Sequence, residues 1–119
     1  MDAQTTQLIE QAEKHRINGE YDQAQPLYEQ VVQAYPDCAQ GWWGLAHVLM
    51  NIGEFEESVR CFRKACDLEP DNQRFIYDYA MMLTMLSMFD EAKECFTRCI
   101  NLDPNSRVAV EALKQLRYL

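Results

Sequence analysis

The sequence predicts an all-α protein built from repeated pairs of helices, and three observations carry this prediction. The 119-residue chain repeats with a period of 34, since Pro36, Pro70 and Pro104 are evenly spaced and each precedes an Asp or Asn. Within each period the apolar residues recur at the spacing of one helix face. The chain also has only four Gly and four Pro, which leaves few positions for turns.

The composition and net charge of the chain exclude several classes of protein. Hydrophobic residues make up 48% of the chain and charged residues 25%, which is typical of a folded domain. The formal net charge of −8 disfavours binding to nucleic-acid phosphates or to an anionic membrane surface. No apolar stretch approaches the length of a membrane span, and the first residues do not resemble a signal peptide. We therefore expect a cytoplasmic protein that neither inserts into membranes nor binds nucleic acid.

The repeat is visible in columns of equivalent residues. Two columns hold small residues, two hold aromatic residues and one holds acids that suit the positive end of a helix dipole. We expect the small columns to let paired helices approach closely and the aromatic columns to fill the gaps. The columns are Ala12/Ala46/Ala80, Ala24/Ser58/Ala92, Tyr21/Phe55/Phe89, Tyr28/Phe62/Phe96 and Asp22/Glu56/Asp90.

The second period shows how each pair of helices is delimited. Trp42, Leu45 and Leu49 lie on one face of a first helix, and the segment 51–54 breaks that pattern. A second helical face starts at Phe55, and Pro70 ends it because the residue before a proline is disfavoured in the helical region. The same interpretation of each period predicts helices near 4–17, 20–34, 39–52, 55–68, 73–86 and 89–102.

These residues resemble the tetratricopeptide repeat (TPR). The second period reads Trp42-x2-Leu45-Ala46-x2-Leu49, followed by Ser58-x3-Phe62, Ala65 and Pro70, and the third period matches similarly. The first period departs from the pattern, with Gln11 and His15 in usually apolar slots and Pro26 inside its second helix. The resemblance implies a single domain, a right-handed superhelical α-solenoid of three repeats, about 5–38, 39–72 and 73–106.

The remaining segment, 107–119, has Val110, Leu113 and Leu116 at helical spacing and a net charge of +2. Solenoids need a terminal element that covers the last apolar face. We therefore predict that 107–119 is a C-terminal capping helix.

Neither the cysteines nor the histidines form a reactive or metal-binding motif. The pairs Cys61/Cys66 and Cys95/Cys99 are not in CxxC spacing and have no neighbouring histidine, so we expect reduced packing thiols and no metal or cofactor. No nucleophile is positioned beside His15 or His47, and no glycine-rich phosphate loop is present. The sequence therefore predicts a protein that is not an enzyme.

The resemblance implies a concave groove lined by the first helix of each repeat. Aromatic and Met side chains there suit a hydrophobic or amphipathic peptide or helical segment of another protein. We expect Trp43, Tyr77, Met50 and Met81 to bury apolar partner side chains, with Glu13, Arg16, Arg74 and Asp78 setting orientation. Because Trp42 and Trp43 are adjacent, only one can face the groove, and we favour Trp43. Besides Ile9, the predicted groove residues are Glu10, Glu13, Arg16, Trp43, His47, Met50, Asn51, Arg74, Tyr77, Asp78, Met81 and Met85.

These features favour an adaptor or small chaperone, and two alternatives stay open. The repeats could instead serve self-assembly into a homo-oligomer. The layout also resembles bacterial secretion chaperones that hold translocator proteins. A carboxylate clamp, which some TPR proteins use, is not expected, since only Arg74 has the right charge among Ile9, Glu13, Gly44, Arg74 and Asp78.

Overall fold

The computed structural model describes all 119 residues, and regular structure is entirely α-helical. Each predicted helix is present, with the first six bounds within one residue of those expected from the sequence. The last helix ends at Leu116, three residues earlier than predicted. The helices are α1 (Ala3–Ile17), α2 (Tyr21–Ala34), α3 (Ala39–Asn51), α4 (Phe55–Leu68), α5 (Gln73–Met85), α6 (Phe89–Leu102) and α7 (Arg107–Leu116).

The chain divides into two compact units, which are described separately. Unit 1 comprises Met1–Leu68 and holds α1 to α4, and unit 2 comprises Glu69–Leu119 and holds α5 to α7. In unit 1, α1 pairs with α2 and α3 pairs with α4, while α2 also packs against α3. In unit 2, α5 pairs with α6, and α7 packs mainly on α6.

Local sequence explains where the helices begin and how the chain turns between them. The side chains of Asp2, Asn72 and Ser106 accept hydrogen bonds from backbone N–H groups at the starts of α1, α5 and α7. Gly19 and Gly53 turn the chain between paired helices with φ of +77° and +87°. The third such turn uses Ser87 at φ 60°, a conformation that L side chains rarely adopt.

The core is built from the repeated columns. All six residues of the two small columns are 0% exposed, which confirms that they lie where paired helices approach closely. At one such contact the Ser58 hydroxyl donates to the carbonyl of Ala46 over 2.7 Å. The column Tyr28/Phe62/Phe96 is also fully buried. The other aromatic column is more exposed, because its members are the first residues of their helices and lie beside the turns: Tyr21 is half-buried, and Phe55 and Phe89 are 37% and 45% exposed.

The apolar residues of α7 are buried unequally. Where α7 packs on α6, Ala109 and Ala112 are 2% and 0% exposed, whereas Val110 and Leu113 of the predicted apolar stripe are 49% and 48% exposed. His15, which departs from the repeat pattern, is half-buried, and its Nδ1 lies 3.1 Å from a carboxylate oxygen of Glu20. Pro26 does not interrupt α2, which runs through it.

The five cysteines are free thiols, and Cys61 and Cys99 are buried. Burial raises the pKa of Cys61 to about 11 and that of Cys99 to about 12, which keeps both protonated at neutral pH. No helix is both long enough and apolar enough to cross a membrane.

Candidate peptide-binding site

In unit 1 the guanidinium of Arg16, a predicted groove residue, contacts side chains of two neighbouring helices. Arg16 Nε donates to the hydroxyl of Tyr28 over 3.1 Å. The guanidinium carbon also lies 4.8 Å from the centroid of the Trp43 ring, in a cation–π arrangement. Arg16 therefore joins α1 to both α2 and α3, and two contacts fix its orientation.

Aromatic rings continue this arrangement along α3. The Trp43 and His47 rings meet edge to face with centroids 4.6 Å apart, and His47 meets Phe62 of α4 in the same way at 5.2 Å. Trp43, His47 and Met50 are all partly exposed. We call Arg16, Trp43, His47 and Met50 the aromatic patch.

The two adjacent tryptophans make different contacts. Trp42 donates its indole N–H to the carbonyl of Pro36 over 2.7 Å and so anchors the connection between α2 and α3. Trp43 instead lies against Arg16 of α1. Within unit 1, Trp43 is thus the tryptophan on the side shared by the first helices of the two hairpins.

The buried Tyr28 ring, which holds Arg16 of the aromatic patch, packs against Gly44. Tyr28 is 0% exposed, and its burial raises the pKa of its hydroxyl while the hydrogen bond from Arg16 opposes that rise. A Cβ atom on Gly44 would lie 2.3 Å from Tyr28 Cε1, so only glycine permits this ring position. The sequence predicted that Tyr28 only packs in the core. Its hydroxyl could have indicated a polar contact, since Tyr28 is the only member of its column with a hydroxyl.

The other predicted residues of unit 1 occupy the borders of the patch or lie away from it. Gln40 of α3 donates to the carboxylate of Glu13 on α1, and the Asn51 amide donates to the carbonyl of His47 over 2.8 Å. Glu10 is exposed and shares a helix face with Gln7 and Lys14 rather than with Arg16. Ile9 is only 6% exposed, so the expectation that it is open to a ligand is wrong.

Unit 2 holds a smaller arrangement of the same kind on α5. Arg74 lies 3.5 Å from the carboxylate of Asp78 and 6.0 Å from the centroid of the Tyr77 ring. Tyr77 in turn meets the buried Phe96 edge to face at 5.7 Å. Asp78 is 7% exposed, so it presents little surface for the orienting role predicted from the sequence.

The Tyr77 hydroxyl is partly buried near charges of both signs, with Arg74 opposing the carboxylates. Burial, followed by the charges of Glu111 and Asp78, raises the pKa of Tyr77. Further along α5, Met81 is half-buried and Met85 is 54% exposed. Unit 2 thus offers an aromatic and Met surface bordered by the exposed guanidinium of Arg74 and by carboxylates.

Family models decide the classification of the chain. One model, of the tetratricopeptide repeat, matches residues 9–73, and a second model with the same description matches residues 74–106. The chain belongs to the tetratricopeptide repeat family. The predicted fold class, an all-α solenoid of helical repeats, is confirmed. No curated protein matches this TPR chain by sequence.

Solved structures of other TPR proteins share the fold at low sequence identity. The chain is similar to the type III secretion chaperone SycD of Yersinia enterocolitica, solved in complex with a peptide of the translocator YopD. The two sequences are 15% identical, the TM-score is 0.91, and the match covers 99% of this chain and 93% of SycD. It is similar to the first TPR domain of Spaghetti (RPAP3) bound to the HSP90 peptide SRMEEVD, with 22% identity, a TM-score of 0.88 and coverage of 99% and 94%. The TPR2B domain of yeast Sti1 in a complex with pHsp70 gives 19% identity, a TM-score of 0.89 and coverage of 98% and 95%.

Proposed function

We propose that this TPR protein is a non-enzymatic interaction module that binds a hydrophobic or amphipathic peptide segment of another protein on its aromatic patch. The observation that carries the proposal is the fixed geometry of Arg16, held by the Tyr28 hydroxyl and the Trp43 ring. A surface whose side chains are already ordered loses less conformational entropy when a ligand binds.

The chemistry of the patch defines the ligand. Trp43 and His47 offer rigid apolar faces, and Met50 adapts to irregular shapes. Arg16 uses only Nε in its hydrogen bond with Tyr28, which leaves the terminal nitrogens available to a carboxylate or carbonyl of the ligand. An apolar side chain on Trp43 with an acceptor beside Arg16 is therefore the preferred ligand. A contact surface of this size gives affinities of micromolar order.

The structural similarities support this proposal and leave a second candidate. One of the similar TPR domains is bound to an HSP90 peptide, and another is in a complex with pHsp70. SycD is in complex with a peptide of the translocator YopD. A secretion chaperone for translocator proteins is the second candidate, favoured by the TM-score of 0.91 with SycD. Both functions use a bound peptide. The free thiols support a reducing compartment such as the cytoplasm.

The test is a peptide selection against the full chain, followed by titration of the selected peptides. Trp43→Ala should weaken binding by about 1–4 kcal/mol, a typical hot-spot effect. Phe55→Ala removes an aromatic residue that is 37% exposed on a different helix, and it should leave binding unchanged.

Fluorescence locates the contact independently of affinity. In the Trp42→Phe variant all tryptophan emission comes from Trp43, and peptide binding should shift or quench it. In the Trp43→Phe variant the remaining emission comes from Trp42, which should not respond because it is anchored on Pro36. Selected peptides that bind Trp43→Ala as tightly as the natural chain would contradict the proposal.

A further inference from the structure

Helix α7 packs through one face and leaves another open. Its buried residues Ala109 and Ala112 lie two periods of 34 residues after Gly41 and Gly44. In unit 1 those two glycines are the side of α3 that faces α2, since a Cβ on Gly41 would lie 2.9 Å from Val31 and one on Gly44 would meet Tyr28. Helix α7 therefore lies on α6 as α3 lies on α2.

The open face of α7 corresponds to the side that α3 uses to pack on its own partner, α4. On α3 this side is covered: Leu45, Ala46 and Leu49 are 6%, 0% and 1% exposed. On α7 no helix covers it, and Val110 and Leu113 remain about half exposed. We define the α7 open face as the residues two periods after Trp42, Leu45, Ala46 and Leu49, namely Val110, Leu113, Lys114 and Arg117.

The outer face of α1 provides an internal comparison. That face is also uncovered, and the exposed residues along the body of the helix are polar, namely Gln7, Glu10, Gln11 and Lys14. Its one large exposed apolar side chain, Ile17 at 72%, is the last residue of the helix. The α7 open face instead presents two branched apolar side chains. Exposed apolar groups at helix-packing positions mark a surface that another element covers.

The charges on the α7 open face indicate which kind of helix would cover it. Lys114 and Arg117 replace the small and apolar residues Ala46 and Leu49, so the C-terminal half of the open face carries two positive charges. Lys114 Nζ also lies 3.3 Å from a carboxylate oxygen of Glu111 on the same helix, a salt bridge between exposed side chains that a second carboxylate can share. In an antiparallel hairpin the second helix begins beside the end of the first. The second helices of this chain begin with acids, such as Glu56 and Glu57 of α4.

We propose that the α7 open face docks an amphipathic helix of another protein, antiparallel to α7 and with carboxylates in its first turn. Those carboxylates lie beside Lys114 and Arg117, and the apolar residues of the following turns cover Val110 and Leu113. This surface is separate from the aromatic patch, so the proposal extends beyond the proposed function.

The test uses a defined probe, a capped synthetic peptide of residues 55–68 carrying Cys61→Ala and Cys66→Ala, titrated into the 15N-labelled full chain. Binding should perturb the amides of α7. A matched peptide with Glu56→Lys and Glu57→Lys should bind about fivefold more weakly because it reverses the charges that face Lys114 and Arg117.

Variants of the full chain assign the surface. Leu113→Glu, at a position that is 48% exposed, should weaken probe binding by about tenfold or more while leaving the thermal transition intact. Lys114→Glu should restore binding of the charge-reversed peptide. Trp43→Ala should leave probe binding intact, which separates this proposal from the aromatic patch.

Three results would overturn the inference. The first is probe binding that Leu113→Glu does not change. The second is no binding of the probe at millimolar concentration. The third is a dimer of the natural chain that Leu113→Glu abolishes, which would assign the open face to a second copy.

Discussion

Substitution of Gly44 by alanine tests whether helix propensity or the packing of Tyr28 beneath the aromatic patch decides the change in stability. In a helix interior, alanine is favoured over glycine by about 1 kcal/mol. Propensity alone therefore predicts that Gly44→Ala stabilises the protein. The structure predicts the reverse, because the new methyl group would lie 2.3 Å from Tyr28 Cε1 and 2.4 Å from Cζ.

The size of the effect follows from these distances. Carbon atoms pack at about 3.5–4.0 Å, so the Tyr28 ring must move by more than about 1 Å. Tyr28 is 0% exposed, so it has no open space to enter. Overpacking of this kind costs about 1–3 kcal/mol, and displacement of the hydroxyl also costs about 1 kcal/mol by weakening the hydrogen bond from Arg16. Against the gain from propensity, the net loss is about 2 kcal/mol, or about 8 °C in Tm for a chain of this length.

Gly41→Ala is the matched control in the same helix. Its methyl group would lie 2.9 Å from Val31 Cγ1 and 3.1 Å from Val32 Cγ1, both methyl ends of side chains that need to move only slightly. We expect its stability to stay within about 1 kcal/mol of that of the natural chain, because propensity offsets the smaller strain. Thermal and urea unfolding followed by circular dichroism measure both variants. A Gly44→Ala protein as stable as Gly41→Ala would refute the reasoning.

Two further predictions concern the turn at Ser87 and the buried thiols. Ser87→Gly should stabilise the protein by about 0.5–1 kcal/mol, since Ser87 has φ 60° where the equivalent turns use Gly19 and Gly53; an unchanged or lower urea midpoint would contradict this. Alkaline pH should destabilise the fold, because the folded chain keeps the protons of Cys61 and Cys99 at pH values above 9.0, their ordinary pKa, where the unfolded chain loses them. The free energy of unfolding should therefore fall from about pH 9 upward, and the thiol contribution to this fall should continue until the folded-state pKa values of about 11 and about 12 are reached. The fall should be smaller in a Cys61→Ala/Cys99→Ala variant; equal pH dependence in the two proteins would exclude the thiols as its cause.

The sequence by itself determined the class, the period and the helices of this protein. Helix bounds could be predicted because apolar spacing and prolines act locally and recur three times at 34 residues, and two of the three turns carry a glycine. The small columns could also be assigned, since close helix packing leaves room only for Ala or Ser at Ala46 and Ser58. Period and local pattern together were thus sufficient for the small residues of the core.

Only the tertiary structure decided which exposed residues act together. The contact of Arg16 with Tyr28 and Trp43 joins three helices, and no spacing along one helix specifies it. Burial of Ile9 and Asp78 likewise depends on neighbours that are distant in sequence. The apolar stripe of α7 has the same spacing whether a neighbouring helix covers it or not, so its exposure at Val110 and Leu113 could be learned only from the packed structure.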